Sequence, residues 1–234
     1  MKRLLLLFTF LFTATANLMA QGNNAPDKNT PYFCNKANTT LEYTRTTAEG
    51  DVKWYHTMKI GNIKNNGDTT IINYTSFIVN HKHKPYYGDE PAQLTAAVTQ
   101  KGTTLNVAES AAAVFRTIFP KKTKITSTGG ESTLPSDMAQ GDTLTSVYAS
   151  VKALGLTMKI TVIHRQVLKK ETIRTPAGEF DCIVIRERKV EKGMGRNRHT
   201  IADTWYSKGT GMVRHDTYNP ELELQTSEVL TSIR

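Results

Sequence analysis

The side chains able to do chemistry are few and scattered. His81-Lys82-His83-Lys84 sets two imidazoles two residues apart, on one face if the segment is extended. That spacing suits two ligands of a zinc or copper site. No third ligand is identifiable and the interleaved lysines repel a cation, so the segment reads as a solvated strand end and no metal is expected. His164 and His215 sit in strand-like stretches, where either can act as a general base. A hydrolase also needs a nucleophile and an orienting acid, and the chain carries no G-x-S-x-G elbow, H-E-x-x-H helix or phosphate-binding loop. Asp89-Glu90 is the closest acidic pair, and neighbours on a strand point to opposite faces, which argues against a glycosidase dyad. No catalytic residue is nominated. The chain is expected not to be an enzyme and to use no cofactor, with a hydrolase assembled around His164 or His215 as the less favoured alternative.

The aromatic and apolar side chains are the better candidates. Trp54, Tyr74, Phe77 and Trp205 can floor a pocket for a lipid tail or a sugar ring, although filling a core is the simpler use. With Met58, Met158, Ile160 and Val162 they make the candidate ligand-binding set.

These residues lie on elements with a clear period. Val52, Trp54, Met58 and Ile60 fall on one face of an alternating run, as do Leu156, Met158, Ile160 and Val162 against Thr157, Lys159 and Thr161. A period of two marks a strand with one wet face. Ile71 to Val79 and Phe180 to Ile185 are more continuously apolar and suit covered strands. Between the runs stand Asn66-Gly67-Asp68, Lys101-Gly102, Thr175-Pro176-Ala177-Gly178, Gly193-Met194-Gly195 and Lys208-Gly209-Thr210-Gly211, which are hairpin connections. One helix is expected, capped by Ser110, with Ala111, Val114, Phe115 and Ile118 on its apolar face and Pro120 after it. Lys121 to Gly141 reads as a polar connecting loop. The fold class is mainly β: one strongly curved antiparallel sheet, an open or half barrel, with one short covering helix.

The beginning of the chain has the three parts of an export signal. Lys2 and Arg3 precede the apolar stretch Leu4 to Phe12, and Leu18-Met19-Ala20 offers a cleavage site, with Ala14-Thr15-Ala16 as the alternative. The domains expected are 1–20 signal peptide, 21–31 flexible lead-in and 32–234 a single β domain. No cysteine follows either cleavage point closely and no run is long enough to span a bilayer. The mature chain is therefore expected to be soluble, exported to the periplasm or beyond, without a transmembrane segment, and not a lipoprotein. The net charge of +9 is mixed along the chain rather than blocked, as in Arg186-Glu187-Arg188-Lys189. That pattern and export argue against nucleic acid as a partner. Cys34 and Cys182 are the only cysteines, and an even count in an exported chain fits one disulfide.

From Gly141 onward the order of motifs is recognisable. Thr175-Pro176-Ala177-Gly178-Glu179-Phe180-Asp181-Cys182 is followed by Trp205-Tyr206-Ser207-Lys208-Gly209-Thr210-Gly211-Met212-Val213-Arg214, and Cys34 stands ahead of Leu41-Glu42-Tyr43. This resembles the TapB-like group of exported bacterial proteins of unknown function. The resemblance implies a bent antiparallel sheet similar to the half-barrels of lipoprotein carriers, in which helices cover a concave face that receives acyl chains. It carries no catalytic residue. The function expected is a non-enzymatic envelope module binding an apolar or amphipathic ligand (a lipid or lipoprotein) or a partner protein. An assembly factor pairing through its sheet edge is the alternative.

Overall fold

The computed structural model describes residues 29–234. The signal assignment for 1–20 and most of the lead-in at 21–31 fall outside the described residues. In chain order the elements are β1 (Thr40–Thr47), β2 (Val52–Asn66), β3 (Thr69–Asn80), β4 (Ala92–Thr99), β5 (Gly102–Asn106), α1 (Val107–Ile118), β6 (Ile125–Gly129), β7 (Glu131–Pro135), β8 (Thr143–Leu144), β9 (Val147–Ala153), β10 (Leu156–Thr175), β11 (Gly178–Gly193), β12 (Arg196–Ser207), β13 (Gly211–Tyr218) and β14 (Leu224–Ile233).

All fourteen strands belong to one sheet in the order β6-β9-β10-β11-β12-β13-β14-β1-β2-β3-β4-β5-β7, with β8 beside β10. Each pairing is antiparallel, as short hairpin turns require. The first and last strands are neighbours, Arg45 standing opposite Glu228. The expected curved antiparallel sheet with one helix is what the described residues form, and it curls further than a half barrel, into a nearly closed one. Tyr74 on β3 and Tyr206 on β12, five steps apart along the sheet, line the same cavity. Only a sheet wrapped around that cavity can bring them together.

The seam explains the closure. The segment expected to be a loop, 121–141, supplies the two end strands instead. β6 pairs with β9 at one end of the sheet and β7 pairs with β5 at the other, with only Gly130 between them. Gly129 and Gly130 have φ of 73° and 92°. A Cβ on Gly130 would meet the Ala108 nitrogen at 2.6 Å and the Ala149 Cβ at 2.9 Å, so a side chain here would push the helix off the seam. Polar composition made 121–141 look like a loop; short edge strands are polar for the same reason, since one face and one edge stay wet.

α1 packs on β4 from one side of the seam and on β6 and β9 from the other. Its N-cap is Asn106 rather than Ser110: the Asn106 side chain accepts the Glu109 N–H at 2.8 Å, and the Ser110 hydroxyl donates back to the Asn106 carbonyl. The helix thus starts one turn earlier and buries Ala108, Ala112 and Ala113. At its other end Gly88 passes so close to Thr117 that a Cβ would overlap the Thr117 carbonyl, which ties the β3–β4 connection onto the helix. An assembly role through an open sheet edge has little edge to use, because both end strands are five residues long and α1 lies over their junction. Pro31, near the start of the described residues, is buried and its carbonyl accepts the Gly209 N–H at 2.7 Å.

Candidate functional site

Register and the period of two determine what faces the barrel interior. Thr204, His215, Glu228, Arg45 and Trp54 are successive cross-strand partners on β12, β13, β14, β1 and β2. They form one row, and His56 and Ser76 join it from β2 and β3. Glu228 is the hub. Its Oε2 accepts from Arg45 Nη1 at 3.2 Å and its Oε1 lies 2.9 Å from His56 Nδ1. Arg45 also donates to Thr217 at 2.6 Å and to Thr226. Burial pushes the Glu228 carboxyl up, but the His56 hydrogen bond and the charges of His56 and Arg45 outweigh it and bring the carboxyl down to about 2. His215 is half-buried, 2.8 Å from the Thr204 hydroxyl, and burial together with Arg45 lowers it to about 4, so it is neutral near pH 7.

The second ring nitrogen of His56 lies 2.9 Å from Ser76 Oγ, which gives a hydroxyl–imidazole–carboxylate line. Acyl transfer also needs N–H donors where an oxyanion develops. The helix near Ser76 turns its C-terminal half toward it, at Val114 and Thr117, and that end carries the carbonyls and partial negative charge. The row is an ion and hydroxyl network that holds β1, β2, β13 and β14 in register. His164 lies elsewhere, exposed on β10 with φ of 52°. His83 stacks on Tyr55 and His81 is exposed. Among the described residues no group of three or more His, Cys, Asp or Glu converges.

The apolar candidates divide between sites. Met158 and Ile160 line a cavity of about 440 Å³ between α1 and the β10–β11 wall, and Val162 packs in the same cluster. Met58 and Tyr74 line a smaller one of about 210 Å³ with His56 and Ser76. Phe77 borders a gap of about 30 Å³ under the β3–β4 connection. Trp54 packs beneath the Arg45 guanidinium and against Tyr86. Trp205 is buried in the main core, donating its indole N–H to Glu171 at 2.5 Å.

The space beneath α1 has the two-sided chemistry of an amphiphile site. Val107, Ala111, Val114 and Phe115 make its helix wall, and Met158 and Ile160 the floor. Its rim holds Lys189, Glu191 and Arg196, with Glu191 3.0 Å from Lys189 and 3.3 Å from Arg196. Burial raises the Glu191 carboxyl, yet Lys189, Arg196 and Arg198 more than offset it and hold it below the ordinary carboxylate range. Three cations therefore face one carboxylate. α1 and the rim cations were not in the sequence-derived set. The signal for α1 was its apolar face, which must lie against something apolar.

Cys34 and Cys182, 148 positions apart in the chain, are both buried thiols in one apolar cluster. Burial, with Asp181 and Glu171 nearby, pushes the Cys182 thiol up to about 12.

A family model described as DUF3108-like matches residues 36–230. No curated protein matches the chain. Two solved structures share the fold. One is a protein described as exported, with a YmcC-like fold, from Bacteroides fragilis NCTC 9343, at TM-score 0.71 and 19% identity over 86% of this chain and 98% of that one. The other, described as a lipoprotein, is from Parabacteroides distasonis ATCC 8503, at TM-score 0.72 and 17% identity over 88% and 99%. The TapB-like resemblance gives way to the coarser statement that the fold is YmcC-like and occurs in exported proteins of unknown function. The expectation that the chain is not a lipoprotein is corrected as well: a protein described as a lipoprotein shares this fold over 99% of its own length, so the fold does not argue against an anchor. Among the described residues no helix is long and apolar enough to cross a membrane.

Proposed function

The chain belongs to the DUF3108-like family, and from that premise we propose that it binds an amphipathic anion, its apolar chain under α1 and its head at Lys189 and Arg196. The observation that carries this is the 440 Å³ cavity, apolar on helix and floor and cationic at the rim. Its size falls within the roughly 300–1,000 Å³ of ordinary small-molecule sites. A single acyl chain with a carboxylate or phosphate head matches both halves of the lining. Catalysis forms no part of this reading.

The test is lipid extraction and native mass spectrometry of protein purified from its own source, beside uptake of a fluorescent fatty acid. Ala111→Phe projects a ring into the cavity from a partly exposed helix position. Uptake is expected to fall at least tenfold, equivalent to roughly 1.4 kcal/mol, with thermal stability kept. Protein that carries no lipid and takes up none would sink the reading.

The cysteine pair is proposed to close into a disulfide under oxidising conditions. Protein denatured without reductant is then expected to resist alkylation at Cys34 and Cys182. Reduction should remove roughly 4–5 kcal/mol of stability in the chain-entropy model. Two alkylated thiols in oxidised protein would refute the bridge.

A further inference from the structure

Most of the exposed large apolar side chains gather at one end of the barrel. Tyr86, Tyr87, Ile118, Leu154, Leu156 and Leu222 are there, while Tyr148 and Ile233 are elsewhere. The topology defines that end. The β1–β2, β9–β10, β11–β12 and β13–β14 turns, the β3–β4 connection and the C-terminus of α1 all emerge at it.

The turn chemistry at this end is unusual. Tight two-residue hairpin turns with positive φ at both central positions favour Asn-Gly or Asp-Gly, because a branched apolar side chain is strained there. This barrel puts Leu154-Gly155 at φ of 50° and 77°, and Met194-Gly195 at 52° and 76°. Leu222 in the β13–β14 turn has φ of 66°. Met194 turns inward to the cavity, but Leu154 is 66% exposed, Leu156 59% and Leu222 52%. At the opposite end the turns carry Gly67-Asp68, Gln100-Lys101, Pro176-Ala177 and Lys208-Gly209-Thr210, with no large apolar residue. Strain and exposure at Leu154 oppose folding, and neither it nor Leu156 belongs to a core cluster.

The charge beside the β9–β10 turn has one sign, whereas the β1–β2 and β13–β14 turns at the same end carry Glu49, Asp51, Glu221 and Glu223. β6 pairs with β9 so that Ile125 stands opposite Ala153, which sets Lys124 next to Leu154. Lys122, Lys124 and Lys152 line a surface cleft with Leu154 and Gly155 that contains no acid. None of the three has a carboxylate partner among the described residues, whereas neighbouring Lys121 is paired to Glu90.

We propose that the β9–β10 corner of this end docks on an anionic lipid bilayer, with Leu154 and Leu156 entering the apolar boundary and Lys122, Lys124 and Lys152 among the headgroup phosphates. Exposed leucines flanked by unpaired lysines are complementary to that surface in both its layers. The inference stands apart from the cavity reading, because the hairpin tip does not line the cavity.

The test is co-sedimentation of the purified protein with phosphatidylcholine vesicles with and without phosphatidylglycerol, at low and high salt. Binding is expected only with phosphatidylglycerol and is weakened by salt. Leu154→Asn with Leu156→Thr should lower it at least tenfold, and Lys122→Ala with Lys124→Ala and Lys152→Ala should remove its salt dependence. Leu154→Asn alone separates docking from a folding role: it installs the residue this turn favours, so the melting temperature should rise while vesicle binding falls. Ala111→Phe should bind vesicles like the parent. The proposal is overturned by absent binding at low salt, by equal binding to phosphatidylcholine alone, by leucine variants that bind as the parent does, or by loss of binding in Ala111→Phe. A dimer that depends on the same leucines would assign the tip to a second copy and likewise overturn it.

Discussion

Glu228→Ala is expected to lower unfolding free energy by about 3–5 kcal/mol, the range for a buried ion pair that loses one partner. The carboxylate is the acceptor for Arg45 and His56, whose side chains are only 12% and 15% exposed. Its loss leaves a guanidinium enclosed with only the Thr217 and Thr226 hydroxyls as acceptors. The four strands that meet here join the two ends of the chain, so the damage falls where β1 closes on β14. Chemical denaturation would measure it. Glu228→Met combined with Arg45→Met should recover most of the loss, because an apolar pair of similar volume leaves no uncompensated charge. A Glu228→Ala variant within 1 kcal/mol of the parent would show that Glu228 is not the hub.

Acid should unfold this protein in two successive stages. His215 has its pKa lowered to about 4 when folded, against an ordinary 6.5. Between those values the unfolded chain binds a proton that the folded chain refuses, so stability falls as pH drops from 6.5 to 4. Glu228 follows. Its folded pKa of about 2, against 4.5, gives stability that is fully present above 4.5 and lost as pH falls toward 2. Each limb is worth on the order of 3 kcal/mol at 1.36 kcal/mol per unit, and they share part of one interaction, so their sum is smaller. Urea midpoints between pH 7 and pH 3 would trace both. His215→Gln should flatten the upper limb and leave the lower one. A parent protein with a flat profile from pH 6.5 to 4 would rule out a half-buried His215 held neutral.

Much of the architecture was legible because strand alternation is a local property. Leu156, Met158, Ile160 and Val162 alternate in sequence, and three of them are buried in one cluster beneath α1. The helix was visible from its apolar face, but its start was displaced: Asn106 and Ser110 are both acceptable caps, and only packing of Ala108 against Gly130 selects the earlier one. The Glu228 network was harder to see. Arg45 follows Leu41 and Tyr43 in the same phase, and Glu228 precedes Leu230, so each is a charge at an inward position of an alternating strand. That phase was the available signal. It could not pair them, because they lie 183 residues apart.

The sequence by itself determined the β class, the strands and their wet and dry faces, the single helix and the hairpin turns, since each rests on side chains a few residues apart. Only the tertiary structure decided that the sheet closes through Gly130, that Arg45, His56, His215 and Glu228 share one interior, and that α1 leaves a cationic-rimmed cavity over β10. It also decided which turns share an end of the barrel. Those facts depend on register and curl summed over fourteen strands. A one-residue slip reverses every face, and no local pattern records the closure.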